Sequence, residues 1–341
     1  LMDSLYNGQN IYFDYSDIRP EGARLATMGG RASGPQPLIK LHDFIRESMH
    51  NAQGRKLTPI EAHDICNQIA EIVVVGGVRR SSQISLSDLG DKDMRHAKDW
   101  PYPIKRAMAN NSAIYRDKPS AAEFLKEWGS LALSGTGERG IFNLDAAQSK
   151  APPRRYAPLI QGTNPCGEIM LRDMQFCNLT EVVVRPEDDL DSLLDKVECA
   201  TWLGVIQSTF TDFPYLRKDW KKNCDVERLL GVSLTGQMDN PSLMNSEALK
   251  ALKSRVIRIS RKASSCLGVN MPAATTCVKP SGTVSQLVDS ASGVHPRWSD
   301  YYIRRYRIAA RDPLFNMLRD CLLYTSPSPR DATLSGMPGS A

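Results

Sequence analysis

The apolar positions of this chain recur first at helical and then at strand spacing, and the two alternate along its length. Leu38, Leu41 and Ile45 share one helical face. Thr58-Pro59-Ile60-Glu61 reads as an N-cap, a first-turn proline and a helix start, with the helix running through Ile69 to about Glu71. Ile72 to Val75 and Gly76-Gly77 end it. Ser81 to Ser87 alternates as a strand. Ala121 to Leu133 carries a helical pattern, and Gly137 to Asn143 a loop feeding a short strand. Leu179 to Val184 is β-branched and strand-like. Leu190 to Ser208 and Glu247 to Ala263 are further helices, with a short strand at Gly231 to Gly236 between them. Thr276 to Leu287 reads as loop and turn, and Tyr301 to Ile308 as a last strand. Alternation of this kind predicts an α/β fold whose site lies on loops and strand ends. Neither a repeat nor a composition break divides residues 1–320, so one domain is expected.

Composition narrows the class. The chain has 341 residues, 41% of them hydrophobic and 24% charged, a globular balance. Its net charge of +5 fits an anionic substrate as well as it fits nucleic acid. Lys and Arg are dispersed apart from Arg304-Arg305-Tyr306-Arg307, which argues against direct nucleic-acid binding. No apolar run approaches the roughly 20 residues of a membrane span, and no leader is recognised at Leu1-Met2-Asp3. A cytoplasmic location is expected. The eight cysteines form no C-x-x-C pair, which disfavours a disulfide framework or zinc ribbon. Most are expected to be buried small hydrophobes. From Cys321 to Ala341 the chain turns to Ser, Pro, Arg and Gly. That stretch resembles adapter-derived text and is expected to be a disordered tail outside the domain.

The candidate chemistry is concentrated at Asn164-Pro165-Cys166-Gly167-Glu168. Pro165 and Gly167 predict a tight turn in which Asn164, Cys166 and Glu168 converge. A carboxylate beside a thiol disfavours the thiolate. No histidine lies near in sequence to activate one, so Cys-His acyl transfer is a weak reading. Two readings remain: a structural cysteine in a turn, or a thiol kept protonated for S–H homolysis.

The five-residue segment resembles the finger-loop motif of ribonucleotide reductases. The resemblance implies that Cys166 becomes a thiyl radical that takes the 3′ hydrogen of the substrate ribose. Glu168 would take the 3′ hydroxyl proton, and Asn164 would hold the substrate hydroxyls and Glu168. Cys177, opening Cys177-Asn178-Leu179-Thr180-Glu181-Val182, matches a cysteine that supplies reducing equivalents. Its implied partner lies on a first barrel strand upstream of these residues; Cys66, in a predicted helix, does not substitute.

Other segments extend the resemblance. Lys279-Pro280-Ser281-Gly282-Thr283-Val284-Ser285 lacks Walker A spacing, and alone reads as an ordinary N-cap turn. It resembles the reductases' substrate-phosphate loop, which assigns Pro280, Ser281, Gly282, Thr283, Val284 and Ser285 to substrate. Gly76 to Ser82 resembles the turn into a pocket-lining strand, adding Ser81 and Ser82, while Arg79 and Arg80 are equally surface charges. Gly137 to Asn143 and Leu234 to Asp239 resemble further barrel segments. Ser292 to Arg297 also fits, with His295 given a structural role.

The resemblance implies a ten-stranded α/β barrel, here incomplete, with the cysteine loop inside it. Ile18 to Leu25, Gly29 to Pro35 and Pro280 to Leu287 look most like the adenosylcobalamin-dependent, monomeric class acting on triphosphates. Adenosylcobalamin, a thioredoxin-like reductant and an allosteric nucleotide follow by resemblance; no residues are assigned to a metal. It further implies that this polypeptide binds part of a nucleotide without turning over. The iron-dependent or glycyl-radical branch is the alternative among enzymes, and a non-catalytic nucleotide-binding module the alternative outside them.

Overall fold

A computed structural model describes residues 1–26, 31–75, 78–79, 81–279, 281–303 and 313–322. The chain opens with helices α1 (Met2–Tyr6), α2 (Gln36–Asn51) and α3 (Pro59–Ile72). The face predicted for α2 is the one that packs: Leu41, Ile45 and Ile65 form a buried cluster under Leu5 and Leu38. Thr58 caps α3 in a capping box with Glu61, whose carboxylate accepts the Thr58 N–H at 2.8 Å. A two-residue antiparallel ladder follows, β1 (Val74–Val75) with β2 (Val78–Arg79).

Strands β3 (Gln83–Asp88), β4 (Ala109–Tyr115) and β5 (Gly140–Asn143) form a parallel sheet in that order. A short α4 (Lys92–Arg95) lies between β3 and β4. Helix α5 (Ala121–Ser134), capped by Ser120 and Glu123, makes the crossover from β4 to β5. Asn143 then caps α6 (Leu144–Ser149). Ile114, Phe142, Leu144 and Ile160 bury the sheet's apolar face.

Ile160 opens β6 (Ile160–Thr163), which pairs antiparallel with β7 (Met170–Arg172). The cysteine segment is the loop of this hairpin. Next come β8 (Leu179–Val183), α7 (Leu190–Gln207), α8 (Lys218–Glu227) and β9 (Gly231–Thr235), with β8 and β9 parallel and Leu179 opposite Gly231. Thr276 adds a parallel bridge to Val232. Helix α9 (Ser246–Leu267) packs on α7, and Val182, Leu193, Val197, Leu252 and Val256 form the largest core. Each such side chain, fully buried, contributes roughly 1.5–3 kcal/mol before entropy is counted. The turn α10 (Val284–Leu287) and α11 (Pro313–Leu322) complete the described elements.

The α/β expectation holds, with crossover helices between parallel strands. The described strands make four separate open sheets, the largest of three strands, so a closed ten-stranded barrel is not formed by them. Tyr301–Ile303 are not a strand, and 304–308 lie outside the described residues, as do Arg304 to Arg307, Gly29-Gly30, Gly76-Gly77, Arg80 and Pro280. Cys321 and Leu322 belong to α11 rather than to a tail; residues 323–341 lie outside. The expectation of buried cysteines is also corrected. All eight are unpaired, six are exposed, and Cys224 and Cys277 are partly buried, because several sit on outward faces such as those of α3, α7 and α9. No helix among the described residues is long and apolar enough to cross a membrane.

Candidate active site

The hairpin loop is a tight turn, as Pro165 and Gly167 predict. Gly167 N–H donates to the Asn164 carbonyl at 3.0 Å, and Gly167 adopts φ +89°, where a side chain would be strained. Asn164 N–H donates to the Ile169 carbonyl at 3.1 Å and closes the loop.

Asn164 is buried, and both ends of its amide are used. Nδ2 donates to Glu168 Oε1 at 2.7 Å, and Oδ1 accepts the Ile169 N–H at 2.9 Å. One side chain therefore fixes both the loop and the carboxylate. Glu168 Oε2 is buried without a hydrogen-bond partner. An orphan carboxylate oxygen of this kind is costly unless a ligand donor meets it. Cys166 is exposed at the tip of the same turn. The three residues that the motif brings together in sequence are thus together in space.

Two distant segments hold the loop. On β4, Asn110 Nδ2 donates to the Pro165 carbonyl at 2.8 Å. Beyond β9, Lys279 Nζ lies 2.7 Å from Glu168 Oε1 and 3.6 Å from Cys166 Sγ. Burial pulls Lys279 downward, but its bond to Glu168 and the Glu168 charge outweigh this and raise it above the ordinary lysine value. It is a cation throughout the neutral range.

Cys277 also faces this cluster. Burial pushes its thiol up to about 11, and the Glu168 charge pushes the same way; the Ser233 hydroxyl and Lys279 pull against them. Glu168 lines a cavity of about 320 Å³ with Asn178, Gly231, Thr276, Arg155 and apolar side chains of the hairpin. Asn178 Oδ1 is a second buried acceptor without a partner on that wall.

The remaining expected residues are more dispersed. Cys177 is exposed just before β8 and lines a separate cavity of about 190 Å³ with Cys224. Cys66 sits on α3, as expected. Ser81 donates its hydroxyl to the Ala70 carbonyl at 2.5 Å, so it ties the β3 entry to α3, while Ser82 is exposed at that entry. In the 281–285 turn, Ser285 is fully buried and donates to the Gly282 carbonyl at 2.7 Å. Gly282, Thr283 and Val284 are exposed, and Ser281 Oγ is buried without a partner. His295 is exposed against the Ser292 carbonyl.

Sequence reasoning missed Lys279 as a partner of the cysteine loop, and missed Cys277 altogether. The first lies more than a hundred residues from the motif, and no local spacing signals their contact. The second was visible only as a cysteine two residues before Lys279.

Comparison with known proteins shows what the chain is similar to. No protein-family profile matches the chain. It is 32% identical to an adenosylcobalamin-dependent ribonucleoside-triphosphate reductase of Lactobacillus acidophilus over 96% of its own length and 49% of the relative's. It is 31% identical to the protein of the same name from Lactobacillus leichmannii, over 92% of this chain and 46% of that one. The chain thus spans about half the length of the curated relatives it matches. A crystal structure of a B12-dependent class II ribonucleotide reductase superposes with a TM-score of 0.68 at 29% identity, over 82% of this chain and 43% of that one. The α subunit of an Actinobacillus ureae class Id reductase shares the fold at a TM-score of 0.57 and 14% identity, over 88% of this chain and 65% of that one. By sequence and fold together, the chain is similar to the ribonucleotide reductases, and among these to the adenosylcobalamin-dependent class most of all.

Proposed function

We propose that this chain carries the thiyl-radical site of a ribonucleoside-triphosphate reductase, with Cys166 as the reacting thiol. The observation that carries the reading is the Asn164–Glu168 bond at 2.7 Å, which leaves Glu168 Oε2 unpartnered on the loop that bears Cys166. Once Cys166 has lost its S–H hydrogen, the sulfur takes the 3′ hydrogen of the ribose. Glu168 Oε2 accepts the 3′ hydroxyl proton, and the 2′ hydroxyl takes a proton from one of the two reducing thiols and leaves as water. Two thiols, Cys177 and a partner, then become a disulfide and supply the two electrons. The 3′ hydrogen returns from Cys166 to carbon.

Ser82 and the 280–285 turn are proposed to meet the substrate, with Gly282, Thr283 and Val284 as the accessible part. Ser285 supports the turn from inside. Residues 1–320 are read as part of a ten-stranded barrel in a cytoplasmic protein that uses a thioredoxin-like reductant and responds to an allosteric nucleotide. Adenosylcobalamin is taken from the relatives' name. The cavity at Glu168, about 320 Å³, is far smaller than a corrin with its axial groups, so that cavity is not where the cofactor would sit. The radical-generating chemistry belongs to the cofactor.

Glu168→Gln tests the reading, because it keeps the shape and removes the base. In protein carrying this chain at the full length of its relatives, deoxynucleotide formation should fall by about 10²–10⁴-fold with nucleotide affinity nearly unchanged. Reduction at the unsubstituted rate would contradict it.

A further inference from the structure

The sequence presents Lys279 as a cation ahead of a Ser/Thr/Gly turn, a natural phosphate ligand. Its placement is different. Its backbone N–H donates to Ser233 Oγ on β9 at 3.0 Å, and Ser233 is almost fully buried, so the lysine leaves the sheet from a fixed point. Its ammonium is already committed, 2.7 Å from Glu168 Oε1 and 3.6 Å from Cys166 Sγ. Asn164 Nδ2 donates to the same Oε1 at 2.7 Å. Two donors thus converge on one carboxylate oxygen, and the other is left bare and buried.

We propose that Lys279 is a positioning residue of this site: it pins Glu168 through Oε1 so that Oε2 is presented to the reacting hydroxyl, and it sets a positive charge against the Cys166 sulfur. This rests on the reductase reading only for the name of the hydroxyl. The electrostatics follow from the geometry. With Lys279 present, the Glu168 charge next to the thiol is balanced. Without it, Cys166 meets an unbalanced carboxylate and loses its cation, and both changes disfavour the thiolate. A phosphate ligand, by contrast, would matter for nucleotide affinity and little for the thiol.

The test is alkylation of Cys166 by iodoacetamide from pH 6 to 9, followed by peptide mass spectrometry, in the unsubstituted chain, Lys279→Met and Lys279→Arg. In Lys279→Met the rate at pH 7 should fall about tenfold, because the carboxylate beside the sulfur is then unbalanced. Lys279→Arg, which keeps the charge, should stay within about threefold. An unchanged rate in Lys279→Met overturns the proposal. So does a faster one, which would mean that the lysine merely kept the loop closed. Equilibrium dialysis with a ribonucleoside triphosphate supplies the second arm. A loss of affinity of about tenfold or more in Lys279→Met assigns the ammonium to phosphate and also overturns it. Alkylation needs no turnover, so failure of the reductase reading, seen as no deoxynucleotide from the unsubstituted full-length protein, remains separable.

Discussion

Two thiols face the Glu168 carboxylate in different settings. Cys166 is exposed and touches the ammonium that balances Glu168, whereas Cys277 is partly buried, and burial with the Glu168 charge pushes its thiol from 9.0 up to about 11. The pH dependence of stability follows. Below pH 9 Cys277 is protonated in both folded and unfolded chains, and its contribution is fully present. Between 9 and 11 the unfolded chain ionises first, so the folded state holds the extra proton and stability falls as pH rises, until the contribution is lost above about 11. Urea midpoints across that range should drop more steeply in the unsubstituted chain than in Cys277→Ala. Parallel profiles would show that the thiol does not feel this environment. The Asn164, Cys166 and Glu168 grouping was legible in sequence because it spans five residues of one turn. Lys279 was not, since it lies 113 residues from Cys166 and only the tertiary fold brings it there.

At the scale of elements, the hairpin needs support from behind. Arg155 gives it. Its guanidinium donates to the Met170 carbonyl on β7 at 2.6 Å, to Gln175 Oε1 at 2.9 Å and to Glu227 Oε2 at 3.1 Å. Arg155 and Glu227 are both buried, so neither tolerates losing the other. Arg155→Met should destabilise by about 3–5 kcal/mol in urea unfolding, and Glu227→Leu added to it should recover a large part. A loss below about 1 kcal/mol for the single change would mean that this pair does not hold the hairpin. The helices were legible because their signals are local: the Thr58 cap with Glu61 on α3, and the helical pattern that starts at Leu190 on α7. Strand β4 was not. A central parallel strand usually reads as a continuous apolar run, but β4 carries Asn110, Asn111 and Ser112, and Asn111 is buried. Helix α8 was missed because Lys218 to Glu227 is almost wholly polar.

At the scale of the whole molecule, the cysteine loop is where the two halves of the chain meet. Asn110 holds it from the β3–β4–β5 sheet, and Lys279 from the β8–β9 side. The α/β class was readable from the alternation of periods. The ten-stranded barrel was expected only from the resemblance, and the described strands stay in open sheets, since closure needs pairings between distant strands that no local pattern encodes. The central claim is that Cys166 does the chemistry at this meeting point. The direct measurement compares Cys166→Ala with the unsubstituted chain, at the full length of its relatives, supplied with adenosylcobalamin, a dithiol and a ribonucleoside triphosphate. Deoxynucleotide formation should disappear while nucleotide affinity stays within about threefold. Reduction that persists in Cys166→Ala would contradict the account.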